Sequence, residues 1–425
     1  MSYARSDFLK ASAVALAAGR GAQAEPRRQL KEDWIKRENE REGASDWKLT
    51  RVRPEGYNNP NIEGYCSRQS VKAGESIDVA VSTAPAAQFT IEISRMGYYG
   101  GRGARSMKTL GPFKGKKQPK PPVGEKRLRR CRWDPVVSLT IPHDWPSGVY
   151  LGRLTTLPDK ANTPYWQSYV IFIVRDDRPA DFLFQCSDNT WQAYNRWPDN
   201  FSLYTDPRGS HALDVAVSFD RPYAKYSQIF ERPLSTGSGE FLLWEYPLAY
   251  WMEKHGYDVT YCSNSDCLDD GQIKPCNNFI SVGNDEYWDV RQYHAVKKAI
   301  GAGTNAMWLC GNSVFAVSPF SEVSQLADIR GDVHFYETGM SVEAVHSPVA
   351  WHVLDASHDL VLVEPSVASA AALSSASAGL LAAAVIATLS ASELVCTGYH
   401  LLCLLKSFVE LGLESHLRGI LGRRQ

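Results

Sequence analysis

Residues 279–289 read FISVGNDEYWD. The first five have strand character, and they run straight into Asn284, Asp285, Glu286, Tyr287 and Trp288. A surface loop needs polarity, but it does not need two large rings beside paired acids. The stretch is therefore either a helix start with core anchors or the floor of a site, and its surroundings bear on the choice. DFLFQC (181–186), YDVTYC (257–262) and NAMWLC (305–310) are further runs of strand length. Between them, LLWEYPLAYWMEKHG (242–256) spaces Leu243, Tyr246, Leu248, Tyr250 and Trp251 around a helix that Gly256 can close. VRQYHAVKKAIGAG (290–303) reads as another helix with a glycine stop. Strand–helix–strand alternation predicts a mostly parallel sheet with helices on both faces.

Upstream, the rhythm differs. SIDVAVST (76–83), FTIEISRM (89–96) and SYVIFIVRDD (168–177) alternate with period two between Gly and Pro turns, as the strands of a β-sandwich do. The chain accordingly divides into a signal-like leader (1–24), a charged linker (25–60), a β-sandwich (61–178), an α/β domain (179–330) and a low-complexity tail (331–425). The leader has a cationic start, an apolar stretch and Ala22-Gln23-Ala24 as a small-residue cleavage site. Arg5 fits a twin-arginine signal, although Ser6 stands where the second arginine belongs, so export to the periplasm is expected, with a cytoplasmic location as the alternative. In the tail, residues 365–392 carry no charge, and membrane contact is expected only if that segment is an anchor.

A net charge of −1 with 22% charged residues offers no basic field for nucleic acid. Cys262, Cys267 and Cys276 lack the paired close spacing of a zinc site and read as free thiols or a local disulfide.

In an open parallel sheet, ligands sit outside the carboxyl ends of the strands. Four strand ends here deliver short polar side chains: Ser187-Asp188-Asn189-Thr190-Trp191, then Ser263, Asn264 and Asp266, then the opening motif, then Gly311, Asn312 and Ser313. That favours a site. Cys310 with His294 or His255 could imitate a nucleophile and base, but both histidines fall on expected helices, where packed or solvated histidines are ordinary. Asp285 and Glu286 point in opposite directions if extended, and carboxylate with phenolate oxygens suits a hard, iron(III)-like Lewis acid.

Several motifs together resemble the N,N-dimethylformamidase large-subunit family: SVGNDEYW (281–288), NTWQAYNRW (189–197), VSFDRPY (217–223) and EYPLAYWMEKHGYDVTY (245–261). IEGYCSRQSVKAGESIDVAVST (62–83) and ISRMGYYGG (93–101) resemble the region before them. The resemblance implies a β-sandwich followed by a glutamine-amidotransferase-like α/β domain. It also implies hydrolysis of a small amide, assisted by a mononuclear iron (Fe3+) held by two tyrosines and a glutamate. On this chain the ligands would be Tyr194, Tyr223 and Glu286, although Phe219 could occupy the second tyrosine's place. Glu286, Asp285 and Asn284 would be the catalytic group, and Asn189, Trp191, Asp220 and Asn312 would contact substrate. A small subunit or a second copy of the chain would be the partner. Two departures stand out: Asn284 replaces the family's histidine, and the tail begins where the family continues its α/β domain. Asparagine forms hydrogen bonds but exchanges no proton near neutral pH. A catalytically degenerate relative that binds a small ligand or partner is the alternative.

Overall fold

The computed structural model describes residues 34–160, 162–200, 215–227, 230–231, 233–320, 332–335 and 353–354. The expected leader lies outside these residues, as does the expected tail apart from two short strands.

The first eight strands are β1 (Glu63–Cys66), β2 (Ser70–Lys72), β3 (Ser76–Ser82), β4 (Gln88–Met96), β5 (Ala104–Lys114), β6 (Pro135–Thr140), β7 (Gly148–Leu157) and β8 (Gln167–Arg175). They form two sheets, β1-β3-β6 and β2-β8-β7-β4-β5. Period-two alternation decides which side chains meet between them: Ile77, Val79 and Val81 from β3 pack with Ile91, Ile93, Val170 and Phe172. Strand β8 is buried on both faces, so its other set, Tyr169, Ile171 and Ile173, needs a second partner.

That partner is the sheet of the second half. Its strands are β9 (Phe182–Gln185), β10 (Val215–Ser218), β11 (Tyr226–Ser227), β12 (Phe230–Glu231), β13 (Val259–Cys262), β14 (Asn278–Gly283), β15 (Tyr287–Trp288), β16 (Asn305–Cys310), β17 (Ala316–Val317), β18 (Asp332–Phe335) and β19 (Val353–Leu354). The central sheet has the order β13-β9-β14-β16-β19. Strands β13, β9, β14 and β16 run parallel, and β19 closes the edge antiparallel. Five α-helices are described: α1 (Trp34–Asn39), α2 (Asp188–Tyr194), α3 (Phe241–Trp244), α4 (Tyr246–Lys254) and α5 (Val290–Gly301).

This architecture corrects the expectation of a glutamine-amidotransferase-like parallel sheet with helices on both faces. The described regular structure is mostly strand, in antiparallel and mixed sheets, with few helices. One face of the central sheet, through Leu183 and Phe279, packs on Ala295, Val296, Ala299 and Ile300 of α5. The opposite face, through Phe184, Ile280 and Val282, packs mainly on the sandwich's Val149, Leu151, Ile171 and Ile173, with α4 adding Ala249 and Met252. Neighbouring residues of one strand serve both cores because their side chains alternate sides. An apolar strand records that both faces are covered, but not whether a helix or a sheet covers them.

The charged segment before the sandwich is more than a connector. Ile35, Trp47 and Leu49 are buried in the core shared by the two halves. Two strands from beyond residue 330 also pair with the second half, β18 with β10 and β19 with β16.

Candidate active site

Strand β14 ends at Gly283, whose φ of +89° lies in the left-handed region. A Cβ there would come within 2.9 Å of the Trp244 Cβ, so glycine is needed for space as well as conformation. This turn lets three consecutive residues diverge. Asp285 points inward, where its carboxylate accepts hydrogen bonds from Gln185 Nε2 (2.5 Å), Ser281 Oγ (2.6 Å) and Asn264 Nδ2 (3.0 Å). Burial pushes its pKa up to about 6, against the pull of those donors. Glu286 points the other way. Its Oε2 accepts from the Tyr194 hydroxyl (3.0 Å) and from Asn284 Nδ2 (3.1 Å), and its N–H donates to Thr190 Oγ1 (3.2 Å). Glu286 is buried, while Tyr194 and Asn284 are half-buried and connect it to the surface.

The remainder of the motif starts α5. Asp289 accepts from the Arg291 N–H at 2.7 Å as the helix cap, and Tyr287 and Trp288 are buried beside it. The opening stretch is thus both things at once. Its first acids are buried and hydrogen-bonded at the strand end, and its last residues anchor a helix.

The strand ends do converge. Asn264, after β13, donates its backbone N–H to Asp188 Oδ1 (2.7 Å) and accepts from the Asn189 N–H (3.0 Å), while its side chain holds Asp285. Asn189 also donates to the Tyr287 carbonyl (2.9 Å), so it braces the motif from behind. Asn312 is exposed in a turn with φ of +49°, and Asp220 lies near Arg130 with its carbonyl bonded to the Cys131 N–H.

The tyrosines separate. Residues three and four apart share a helix face, so on α2 Thr190 and Tyr194 form one face while Asp188, Trp191 and Gln192 form the other. Glu286 takes the first face. Tyr223 takes the second: its ring stands edge-on to Trp191 with centroids 6.3 Å apart. Phe219 packs with Tyr194 and Tyr287 on the Glu286 side. Of the three oxygen donors inferred from the resemblance, Tyr194 and Glu286 meet, while Tyr223 packs on Trp191. Among the described residues, no group of three or more His, Cys, Asp or Glu side chains converges as a metal set.

Cys310 is likewise no activated nucleophile. Its sulfur lies 3.3 Å from Ser281 Oγ and 3.0 Å from Ser313 Oγ, and burial pushes its pKa up to about 12. His255 packs on Trp251, and His294 on Tyr293.

Three residues of the network were not singled out as site residues in the sequence: Gln185, Ser281 and Glu245. Glu245 Oε1 accepts from the Ser187 N–H (2.9 Å), Ser187 Oγ (2.6 Å) and Trp191 Nε1 (2.9 Å), fixing the start of α2, and burial pushes its pKa up to about 7. The available signal was a polar residue inside each apolar run, since buried polar groups need partners.

Comparison with known proteins agrees with the motifs. The family described as N,N-dimethylformamidase beta subunit-like, C-terminal, matches residues 90–340. No curated protein matches the chain. Among solved structures, a family 123 glycoside hydrolase from Clostridium perfringens, studied for glycolipid glycan hydrolysis, is similar at 10% identity and a TM-score of 0.13. That match covers 30% of this chain and 27% of the other, too slight a likeness to bear on fold or activity.

Proposed function

Since the chain belongs to the N,N-dimethylformamidase beta-subunit-like family and is an amidase-like relative, we propose that Glu286, Tyr194 and Asn284 form the site where a small carboxylic amide is bound and hydrolysed. The observation that supports this most is the placement of two hydrogen-bond donors, Tyr194 and Asn284, on one oxygen of a buried carboxylate at a strand end. Glu286 takes a proton from a water as that water attacks the amide carbonyl carbon. The Tyr194 hydroxyl and Asn284 amide turn to the carbonyl oxygen and stabilise the charge that develops there. Glu286 then returns the proton to the nitrogen, the C–N bond breaks, and a carboxylic acid and an amine leave. Asp285, held by three donors, keeps the turn in place from behind.

A second reading also has a specific observation behind it. Asn284 cannot act as a general acid or base near neutral pH and Tyr223 packs on Trp191, which favours a degenerate relative that binds a small ligand without turnover. Amine release from formamide, acetamide and N,N-dimethylformamide, with the bound iron content measured in the same preparation, separates the two. Hydrolysis that disappears in Glu286→Gln supports the enzyme. Hydrolysis unchanged in that variant refutes this site, and no turnover of any amide supports the binding protein.

A further inference from the structure

Residues 114–132, KGKKQPKPPVGEKRLRRCR, join the end of β5 to the start of β6. They hold nine lysines and arginines and one acid, Glu125, a net +8 in a chain whose net charge is −1. Three carboxylates from outside the segment offset part of that charge. Asp134 meets Lys116 (2.7 Å), Asp199 meets Lys120 and Arg129, and Asp220 lies 3.9 Å from Arg130. A surplus of cations remains, and Lys114, Lys117 and Arg132 are among the exposed ones. The loop is anchored at its base: the Thr83 N–H donates to the Lys116 carbonyl (3.0 Å), and Trp133 Nε1 to the Pro119 carbonyl (2.8 Å). Pro119, Pro121 and Pro122 stiffen the outgoing arm, and the Gly124 N–H closes the tip onto the Leu128 carbonyl (2.8 Å). Held at that tip is Val123, 51% exposed.

We propose that residues 114–132 dock this protein onto an anionic lipid surface, with Val123 entering the headgroup layer and the surrounding cations meeting the lipid phosphates and carboxylates. Two observations on one loop support this. Clustered Lys and Arg are drawn to the negative potential of an anionic leaflet. An apolar side chain among them gains by leaving water at the same contact. A merely solvated loop needs neither so one-sided a charge nor an exposed valine at its tip. A nucleic acid would meet the cations alone, since the segment has no aromatic side chain to stack on bases and a duplex has no apolar layer for Val123. The proposal does not depend on the hydrolytic reading.

Vesicles of phosphatidylcholine, alone or with an equal part of phosphatidylserine, are the probe, and sedimentation of the full-length protein with them is the readout. At about 0.1 M salt the protein should sediment with the phosphatidylserine vesicles and not with phosphatidylcholine alone. It should be released at about 1 M salt, where the Debye length shrinks to roughly 3 Å. Lys114→Gln/Lys117→Gln/Arg132→Gln should weaken binding about 10²-fold, and Val123→Ser about tenfold. Lys274→Gln/Lys297→Gln/Lys298→Gln, an equal charge change on exposed lysines elsewhere, should stay within about twofold of wild type. Every substituted side chain is exposed, so thermal midpoints should match wild type. No sedimentation with phosphatidylserine vesicles would overturn the proposal, as would unaltered binding by the loop triple variant or by Val123→Ser. An equal loss in the distant triple variant would overturn it by reducing the attraction to overall charge. Binding that survives high salt and needs no phosphatidylserine would overturn it by assigning the contact to the uncharged stretch at 365–392. A DNA duplex bound more tightly than the vesicles would overturn it by making the loop a nucleic-acid surface.

Discussion

Arg95 of β4 and Glu253 of α4 form an ion pair across the seam between the sandwich and the central sheet, and both side chains are fully buried. The pair is bidentate, with Nη2–Oε1 at 2.8 Å and Nη1–Oε2 at 3.1 Å. Tyr261 and Asn39 add donors to the same carboxylate at 3.0 and 3.1 Å. Glu253→Met removes the negative charge and leaves a guanidinium in the core. Breaking a buried pair from one side costs about 3–5 kcal/mol, because the remaining charge has lost its counter-ion. For a body of this size each kcal/mol moves the midpoint by about 2–4 °C, so thermal unfolding should fall by roughly 10 °C. The double variant Arg95→Met/Glu253→Met removes both charges and should recover much of that loss. Calorimetry on wild type, both single variants and the double variant provides the cycle. A Glu253→Met midpoint within about 2 °C of wild type, against the cost cited for such pairs, would show that the seam is hydrated or opens independently. Losses that add in the double variant would refute the pairwise coupling.

Tyr194→Phe removes the hydroxyl that donates to Glu286, and amide turnover should drop about 10²-fold with little change in stability; a rate within twofold of wild type would remove Tyr194 from the chemistry. Glu245 has its folded pKa raised from 4.5 to about 7, so its stabilising contribution is complete below pH 4.5 and is lost as pH rises through 7. Urea unfolding at both ends should therefore show Glu245→Gln gaining about 3 kcal/mol on wild type between pH 4.5 and 8, and a flat difference would contradict the burial argument. Gly283→Ala combines a φ of +89° with a close approach to Trp244, and should cost about 1–3 kcal/mol in chemical denaturation along with turnover. Asn284→His supplies a titratable group beside Glu286, and the pH–rate profile should acquire a limb near about 6.5, absent from the parent.

The strands were legible because each carries a period that burial imposes. Phe279 and Ile280 point to opposite cores, and only a strand packed on both sides has apolar residues at consecutive positions. Glu286 was legible for a related reason: a carboxylate just past such a strand must be placed rather than solvated. What covers the second face could not be read, since Ile280 against a helix and Ile280 against Ile173 of a sheet look alike in one dimension. The buried role of Trp47 and Leu49 was hidden by the charge around them, because composition averages over a segment whose few apolar residues do the packing.

The site residues expose a different limit. Tyr194 and Tyr223 both sit in aromatic-rich motifs near the same strand end, and nothing in their spacing separates them. The phase of α2 separates them. Its first residue follows β9 directly, so the rotation of the helix is fixed by Glu245 holding Ser187 and Trp191, and by Asn264 holding Asp188 and Asn189. With that rotation set, Tyr194 must face Glu286 and Trp191 must face Tyr223. One short helix therefore divides the polar residues of the strand ends into two groups. The first has a carboxylate with two donors at its oxygen. The second has the Asp188 carboxyl, held at one oxygen by the Asn264 N–H, beside Trp191 and Tyr223. Tyr223 itself comes from the segment after β10 and not from α2, so its place is set by its packing on Trp191. The chemistry available to this chain follows from that phase.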